Sequence, residues 1–468
     1  MSLFTRGIEL LHLLPQTTER TQQEIRLYLA LGAPLIALKG YASPEVEHTY
    51  AQAHKLCQQI KESRYLFPAV LGLCGVRHNQ AEFRHARVLA QQLLRLAREE
   101  GNTTRLLWAH VFSGNVLYLT GKIARAQKDF TEGITLYDAR RHSPHVSDVI
   151  HDPGVHCRCY LAEILWLQGY ADQARQLCHQ ALSLARQLAH SHSKAVALSS
   201  TALLHNWLGE PQAAHDLAGE LMTLTHEHGF PQWLAVGTFL QGWTRAHQGG
   251  IAEGVQQMQQ GLAAFQATGA KQWLPFFSCE LAWAYGKAEQ PEEGLTIIAE
   301  AQTTIDKTGE RFYEAELYRL RGELTLAQSS TQSLESRVQT NQKAKDKRQK
   351  AKITTPRPLT PNPQAEAEEC FRKAIEIASR QQAKSLQLRA TMSLVQLRRQ
   401  QVTDHATRNT QQDVRRMLDE THRMLSEVYN WFTEGFDTAD LQEAKGLLVE
   451  LATHGSSPDV YRTRTLEA

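Results

Sequence analysis

The sequence predicts an all-α protein, a right-handed superhelical α-solenoid of helical hairpins with a step of about 40 residues. Three observations predict it. A spaced set of small residues recurs at a fixed period. Ala-, Leu- and Gln-rich segments carry apolar residues at i, i+3 and i+4, the spacing of a helix buried on one face. Runs of β-branched residues, which favour strands, are scarce.

The recurring set is a small residue in a first helix, a Gly at a turn, then Ala, a bulky residue and another small residue in a second helix. One unit reads Gly114, Gly121, Ala126, Phe130, Gly133, and the next reads Ala162, Gly169, Ala174, Cys178, Ala181. Ala202, Gly209, Ala214, Ala218 and Leu221 follow, then Gly242, Gly249, Gly254, Met258 and Gly261. Unit starts fall at 107, 155, 195, 235, 275 and 315, with weaker units starting at 27 and 67. Small residues let paired helices approach while the bulky one fills the gap between them. The pattern is that of tetratricopeptide repeats, with longer helices or turns than their basic length of about 34 residues. The solenoid is expected over 27–328, and C-terminal repeats with capping helices over 364–455.

Two irregularities interrupt the period. The unit at 315 reaches Gly322 on schedule, but its second helix appears only at Ala367, Phe371 and Ala374. The stretch between, residues 329–363, has four prolines, no aromatic and a net charge of +6. That composition cannot bury enough apolar surface to fold, so a disordered insertion is expected there. Its basic run at 343–352 reads as a solvated spacer. The second irregularity is Phe4-Thr-Arg-Gly7-Ile-Glu-Leu10, which matches Phe130 to Leu136 and Phe371 to Ile377. Residues 1–26 are therefore expected to hold a truncated second helix and a connector, from a chain longer on its N-terminal side. Residues 456–468 read as a disordered tail.

The bulk numbers narrow the function classes. Lys and Arg total 51 against 49 Asp and Glu, a formal charge of +2, without the basic excess of a dedicated nucleic-acid binder. Seven cysteines at irregular spacings fit free thiols better than a disulfide framework. The longest apolar stretch, Leu27 to Leu38, contains Gly32 and Pro34 and is too short to span a bilayer. No leader pattern opens the chain, so a cytoplasmic protein is expected.

Chemistry-bearing motifs are absent from the sequence. Gly121-Lys122 lacks the leading Gly and the following Ser or Thr of a phosphate loop and fills the turn slot of a repeat. No HExxH, GxSxG or paired CxxC occurs. His142, His145, His151, His156, Cys157 and Cys159 offer zinc-ligand chemistry, but their spacing fits no standard site. They read as a polar inter-repeat loop ending in an Asp-Pro-Gly turn, with Cys157 and Cys159 at a helix start and Cys159 facing the groove. No catalytic residue, cofactor or metal is assigned. The repeat pattern places the first helices on the concave surface. Their inner positions are Trp108, Asn115, Tyr118, Glu163, Trp166, Asn206, Phe239, Trp243, Phe276, Trp283, Arg319 and Glu323. Tryptophan and arginine on such a surface are typical binding anchors, centred on Trp166, Trp243 and Trp283.

Longer stretches carry a resemblance. They include Leu31-Gly-Ala-Pro-Leu35, Lys39-Gly-Tyr-Ala-Ser-Pro-Glu45, Asp152-Pro-Gly-Val155 and Gly229-Phe-Pro-Gln-Trp-Leu-Ala235. Lys307 to Arg319 and Trp431 to Ala444 complete the set. Together they resemble the C-terminal repeat region of bacterial signalling proteins that join a class III adenylate/guanylate cyclase domain to an AAA/STAND-type ATPase. The resemblance implies a sensor or partner-binding arm, whose partners are a protein or peptide, an upstream ATPase/cyclase module, or a small effector. It also implies a superhelix similar to the sensor region of the maltose-regulon activator. It transfers no cyclase or ATPase activity, since the domains that bear them are not in this sequence. A free-standing adaptor or transcription-associated regulator is the alternative, and an enzyme with an unrecognised site stands behind both.

Overall fold

The structure is a computed structural model describing residues 2–60, 64–142, 151–346, 362–404 and 411–456. All regular structure among the described residues is helical. After α1 (Ser2–His12) come the hairpins α2/α3 (Thr18–Lys39, Pro44–Gln59), α4/α5 (Leu66–Asn79, Phe83–Glu99) and α6/α7 (Thr103–Leu119, Ile123–Leu136). A single turn, α8 (Ala139–His142), precedes α9/α10 (Pro153–Leu167, Ala171–Leu188) and α11/α12 (Ser191–Trp207, Pro211–His228). Next are α13/α14 (Pro231–His247, Ile251–Ala267), α15/α16 (Leu274–Lys287, Pro291–Thr308) and α17/α18 (Glu314–Asp346, Pro363–Gln381). The chain closes with α19/α20 (Lys384–Asp404, Gln411–Tyr429) and α21 (Ala439–Ser456). No described helix is long and apolar enough to cross a membrane.

The two helices of a hairpin do different work. In α10 the buried residues Ala174, Cys178, Ala181 and Ala185 form one stripe at helical spacing, and the opposite face is solvated. In α11 nearly every residue from His192 to Trp207 is buried. First helices also touch the first helices of adjacent hairpins, as α9 does α11 and α13 does α15. They therefore form an inner layer and the second helices an outer one. Close approach is literal at Gly261, where an added Cβ would stand 2.5 Å from the backbone nitrogen of Phe239. The hairpin turn needs a left-handed residue: Gly169 has φ +93°, and Ala81 and Glu289 occupy the same slot at φ 59°.

A second level of order concerns the superhelix. The N–H groups of Lys271 and Gln272 donate to the carbonyl of Asn79 at 2.8 and 3.2 Å. Arg311 N–H donates to Leu119 O at 2.7 Å, Ser385 Oγ to Trp166 O at 2.5 Å, and Ala439 N–H to Leu208 O at 3.5 Å. Each bond joins the end of one first helix to the start of the first helix five hairpins later, α4 to α15, α6 to α17, α9 to α19 and α11 to α21. One superhelical turn thus takes five hairpins, and successive turns touch. A groove that closes on itself this tightly becomes an axial interior, filled by side chains except where cavities remain.

Two expectations change. The first hairpin begins at Thr18 rather than 27, because Thr17 caps α2 by accepting from Arg20 N–H. Residues 329–346, expected to be disordered, continue α17 as helix. They contain neither Gly nor Pro, so a helix already nucleated at Glu314 propagates through them. The remainder of that insertion, 347–361, lies outside the described residues, as do 405–410 and 457–468.

Candidate ligand cavity

A cavity of about 390 Å³ opens at the C-terminal end of the axial interior. Six first-layer helices wall it, from α11, α13, α15 and α17 on one side to α19 and α21 on the other. It therefore exists only because the solenoid closes across its own turn.

Aromatic rings make its floor and one wall. Trp207 and Trp243, each 2% exposed, both contact the fully buried Phe276 with ring centroids 5.9 Å away. Trp283 stacks on His247 at 4.0 Å, and the Lys287 ammonium lies 6.0 Å from its centroid. Asn206, 5% exposed, completes the floor. Among the described residues, neither the amide nitrogen nor the oxygen of Asn206 has a hydrogen-bond partner, and neither do the indole N–H groups of Trp207 and Trp243. Buried polar groups are normally satisfied, and an unpaired one costs about 1–3 kcal/mol. These four atoms are shielded from solvent and lie behind the cavity lining.

Ionised groups form the other walls. Arg319 on α17 bonds Glu316 at 2.6 Å and Glu323 on the next turn. Burial pushes the Glu316 carboxyl up, but the Arg319 charge outweighs it and holds the group below the usual carboxylate range. Arg389 on α19 bonds Asp440 at 2.7 Å, donates to Trp207 O at 3.0 Å and covers the Trp166 ring at 5.1 Å. Glu280 accepts from the Tyr313 hydroxyl at 2.6 Å, and burial raises its carboxyl to about 8, so it is protonated at neutral pH.

Of the residues expected on the concave face, Asn206, Trp243, Trp283, Arg319 and Glu323 line this cavity. The others are closed inside. Tyr118, Phe239 and Phe276 are at most 1% exposed and pack ring to ring with Phe312, Phe277 and Tyr313. Trp166, 3% exposed, stacks on Trp207 at 4.3 Å and supports the floor from beneath Arg389. Trp108 packs against His151 at 5.6 Å. Asn115 lies 2.8 Å from His156 Nε2, and Glu163 accepts from Ser200 at 2.8 Å with its carboxyl raised to about 8 by burial. Five-hairpin closure brings the opposite wall against these residues; Glu163 and Phe276 still border a smaller space of about 60 Å³, and Asn115 one of about 70 Å³.

The described part of the histidine-rich segment, from His151 on, is also interior. His192, His151, His156 and Tyr160 form a stacked column, with successive centroids 6.0, 4.8 and 4.4 Å apart. Asp152 caps α9 by accepting from Val155 N–H, and Cys157 and Cys159 are fully buried. Stacked rings direct their nitrogens sideways rather than toward a common point, and no three His, Cys, Asp or Glu side chains among the described residues are grouped to hold a metal. His145 lies outside the described residues. Sequence reasoning missed Trp207, Lys287, Arg389 and Asp440. Trp207 sits one residue past an inner position, and the insertion hid the register of the C-terminal hairpins.

No family model matches the chain. An uncharacterized protein of Rhizobium meliloti (strain 1021) is 26% identical over 303 residues, 62% of this chain. The chain spans about 28% of that relative's length. Among solved structures, a Rap protein complexed with competence and sporulation factor aligns with a TM-score of 0.45 at 12% identity, over 81% of this chain and 98% of its own. A STAND protein with a tetratricopeptide repeat sensor from Pyrococcus horikoshii gives 0.44 at 13%, over 92% and 55%. NprR in complex with its cognate peptide NprX gives 0.43 at 14%, over 80% and 99%. Likenesses this distant assign no ligand. The geometry itself describes an all-α, tetratricopeptide-like solenoid that closes on itself around a polar and aromatic cavity.

Proposed function

We propose that this chain is a non-catalytic regulatory scaffold that binds a protein segment or small effector in the cavity walled by α11, α13, α15, α17, α19 and α21. The observation that carries this reading is one cavity of about 390 Å³ that brings Trp207, Trp243 and Trp283 together with Arg319 and Arg389. Coupling to an attached ATPase or cyclase module follows if the ligand prefers one superhelical state, since only differential affinity shifts an equilibrium. The match to a small part of a much longer relative supports a place as one arm of a larger protein.

The test uses intrinsic tryptophan fluorescence. Titration with a library of short peptides and small effectors should give saturable changes in the wild type. Trp243→Ala combined with Trp283→Ala should abolish them while far-UV circular dichroism stays unchanged. Ligands that bind the double variant with wild-type affinity would reject the cavity as the site.

A further inference from the structure

The apolar surface of α1 is only half covered. Ile8 is buried and Phe4 half-buried in the cluster that α1 shares with α2. Leu3 and Leu10, seven residues apart and so on one stripe of the helix, are 85% and 49% exposed. Leu13 and Leu14, just past the helix end, are 81% and 55% exposed. The paired Arg6 and Glu9 hold the solvated face. Of the eight large hydrophobic side chains exposed among the described residues, these twelve positions hold four. Single exposed leucines are ordinary on a surface, whereas a cluster of them marks a contact site.

The molecule itself shows what covers this surface elsewhere. Phe4 to Leu10 repeats the pattern of Phe130 to Leu136 in α7 and of Phe371 to Ile377 in α18. In both hairpins a first helix lies on that pattern. Phe130 packs on Gly114 of α6, where an added Cβ would stand 2.8 Å from the ring, and Phe371 packs on Gly322 of α17 at 2.6 Å. Asp129, the counterpart of Leu3, bonds His110 of α6 at 2.9 Å. Gly133, the counterpart of Gly7, has Leu107 of α6 on one side and Cys157 of α9 on the other. Gly7 has only the second kind of neighbour, Leu27 of α2. Phe130 and Phe371 are at most 1% exposed, and Phe4 is not buried.

The correspondence sets the chemistry of what fits. On a helix laid on α1 as α6 lies on α7, one residue faces Gly7, the third after it faces Leu3, and the seventh faces Phe4. Gly7 leaves room for a leucine, as Gly133 does for Leu107. Leu3 stands where α7 has Asp129, so an apolar residue replaces His110. Phe4 requires Gly. The surface continues onto α2, which runs antiparallel to α1 with His12 at Glu24 and Gly7 at Leu27. Leu38, eleven residues after Leu27 and on the same face of α2, is 47% exposed. A second copy of α1 is a poor cover. At about 100 Å² per leucine side chain, two copies would bury about 600 Å², half of what a specific interface needs.

We propose that α1 and the adjoining face of α2 dock an amphipathic helix of a partner protein, which completes a hairpin with α1. Its pattern is a leucine, an apolar residue three positions on and a glycine four further. The docked helix continues the inner layer of first helices, an interface that the solenoid already repeats. This site is separate from the cavity and does not depend on it.

The probe is a peptide of residues 312–328, whose Ala315, Tyr318 and Gly322 have the spacing of Leu107, His110 and Gly114. It carries Ala315→Leu to fill the space at Gly7. The full chain is titrated with the free peptide by calorimetry. The peptide is also tethered to Met1 through a Gly/Ser linker of about ten residues, which gives an effective concentration of about millimolar. Hydrogen exchange in α1 should slow at least about tenfold when the tethered peptide docks. Gly322→Leu in the peptide should weaken binding at least about tenfold, since Phe4 then meets a side chain. Leu3→Asp with Leu10→Asp should abolish binding and protection, while Tm and far-UV circular dichroism stay unchanged. Exchange in α1 that is no slower with the tethered peptide would overturn the proposal, as would protection that survives the double Asp variant. A dimer of the untethered chain that the double variant disperses would assign the surface to a second copy and overturn it too.

Discussion

Glu163 is a carboxyl buried to 1% exposure in the axial core, and replacing it by Gln should stabilise the protein in a strongly pH-dependent way. One oxygen accepts from Ser200, while the other has no partner among the described residues. Burial raises its carboxyl from 4.5 to about 8. The sign follows from linkage. A carboxyl whose pKa is raised by folding leaves the native state undisturbed below 4.5 and costs it stability as pH rises toward 8, because the unfolded chain releases a proton that the native one holds. At pH 7.5 the gap of three units above 4.5, at 1.36 kcal/mol each, is worth about 4 kcal/mol. At pH 5 the same relation leaves about 1 kcal/mol. Glu163→Gln keeps the shape and the acceptor for Ser200 but has no proton to lose. Chemical denaturation monitored by circular dichroism at both pH values should show the variant's advantage growing by about 3 kcal/mol from pH 5 to 7.5. An advantage equal at the two pH values would show that Glu163 ionises normally in the folded protein and would refute the argument.

Two further outcomes follow from the same geometry. His78, His151, His156 and His192 are buried, and burial holds all four imidazoles below 6.5, His78 at about 4 and His151 at about 3. Their contribution is present above 6.5 and lost as pH falls below it, by about 1.4 kcal/mol each for His78 and His151 at pH 5.5. In the Glu163→Gln background, unfolding should take up more protons at pH 4.5–5.5 than the carboxyls account for. Proton uptake measured by calorimetry in buffers of different ionisation enthalpy checks this, and no excess would show that the column titrates in place. Gly169→Ala should destabilise by at least about 1–2 kcal/mol, since its φ of +93° suits only Gly and the new Cβ would meet the Phe432 and Trp431 rings at 2.7 and 2.8 Å. Because those rings belong to the C-terminal segment, hydrogen exchange should rise first in α19 and α21, and a uniform rise would refute the assignment of this contact to the closure.

The repeat itself was legible because it is local. Each hairpin buries its face against its own partner helix and its neighbours, so Gly114 opposite Phe130 and Gly322 opposite Phe371 appear in the sequence as a fixed spacing. Of the inner positions expected from that spacing, Asn206, Trp243, Trp283, Arg319 and Glu323 line the cavity. Whether an inner-facing residue lines a cavity or disappears into a core was not legible. Tyr118 and Asn206 occupy equivalent positions of the pattern, yet Tyr118 meets Phe312 from five hairpins on, while Asn206 borders the cavity.

By itself, then, the sequence determined the helical hairpins and their period. The tertiary structure alone decided the closure at five hairpins, the stacked histidine column and the enclosure of the cavity by α19 and α21. The physical reason is that closure depends on a small rotation accumulated over successive hairpins. No single unit of about 40 residues records that sum.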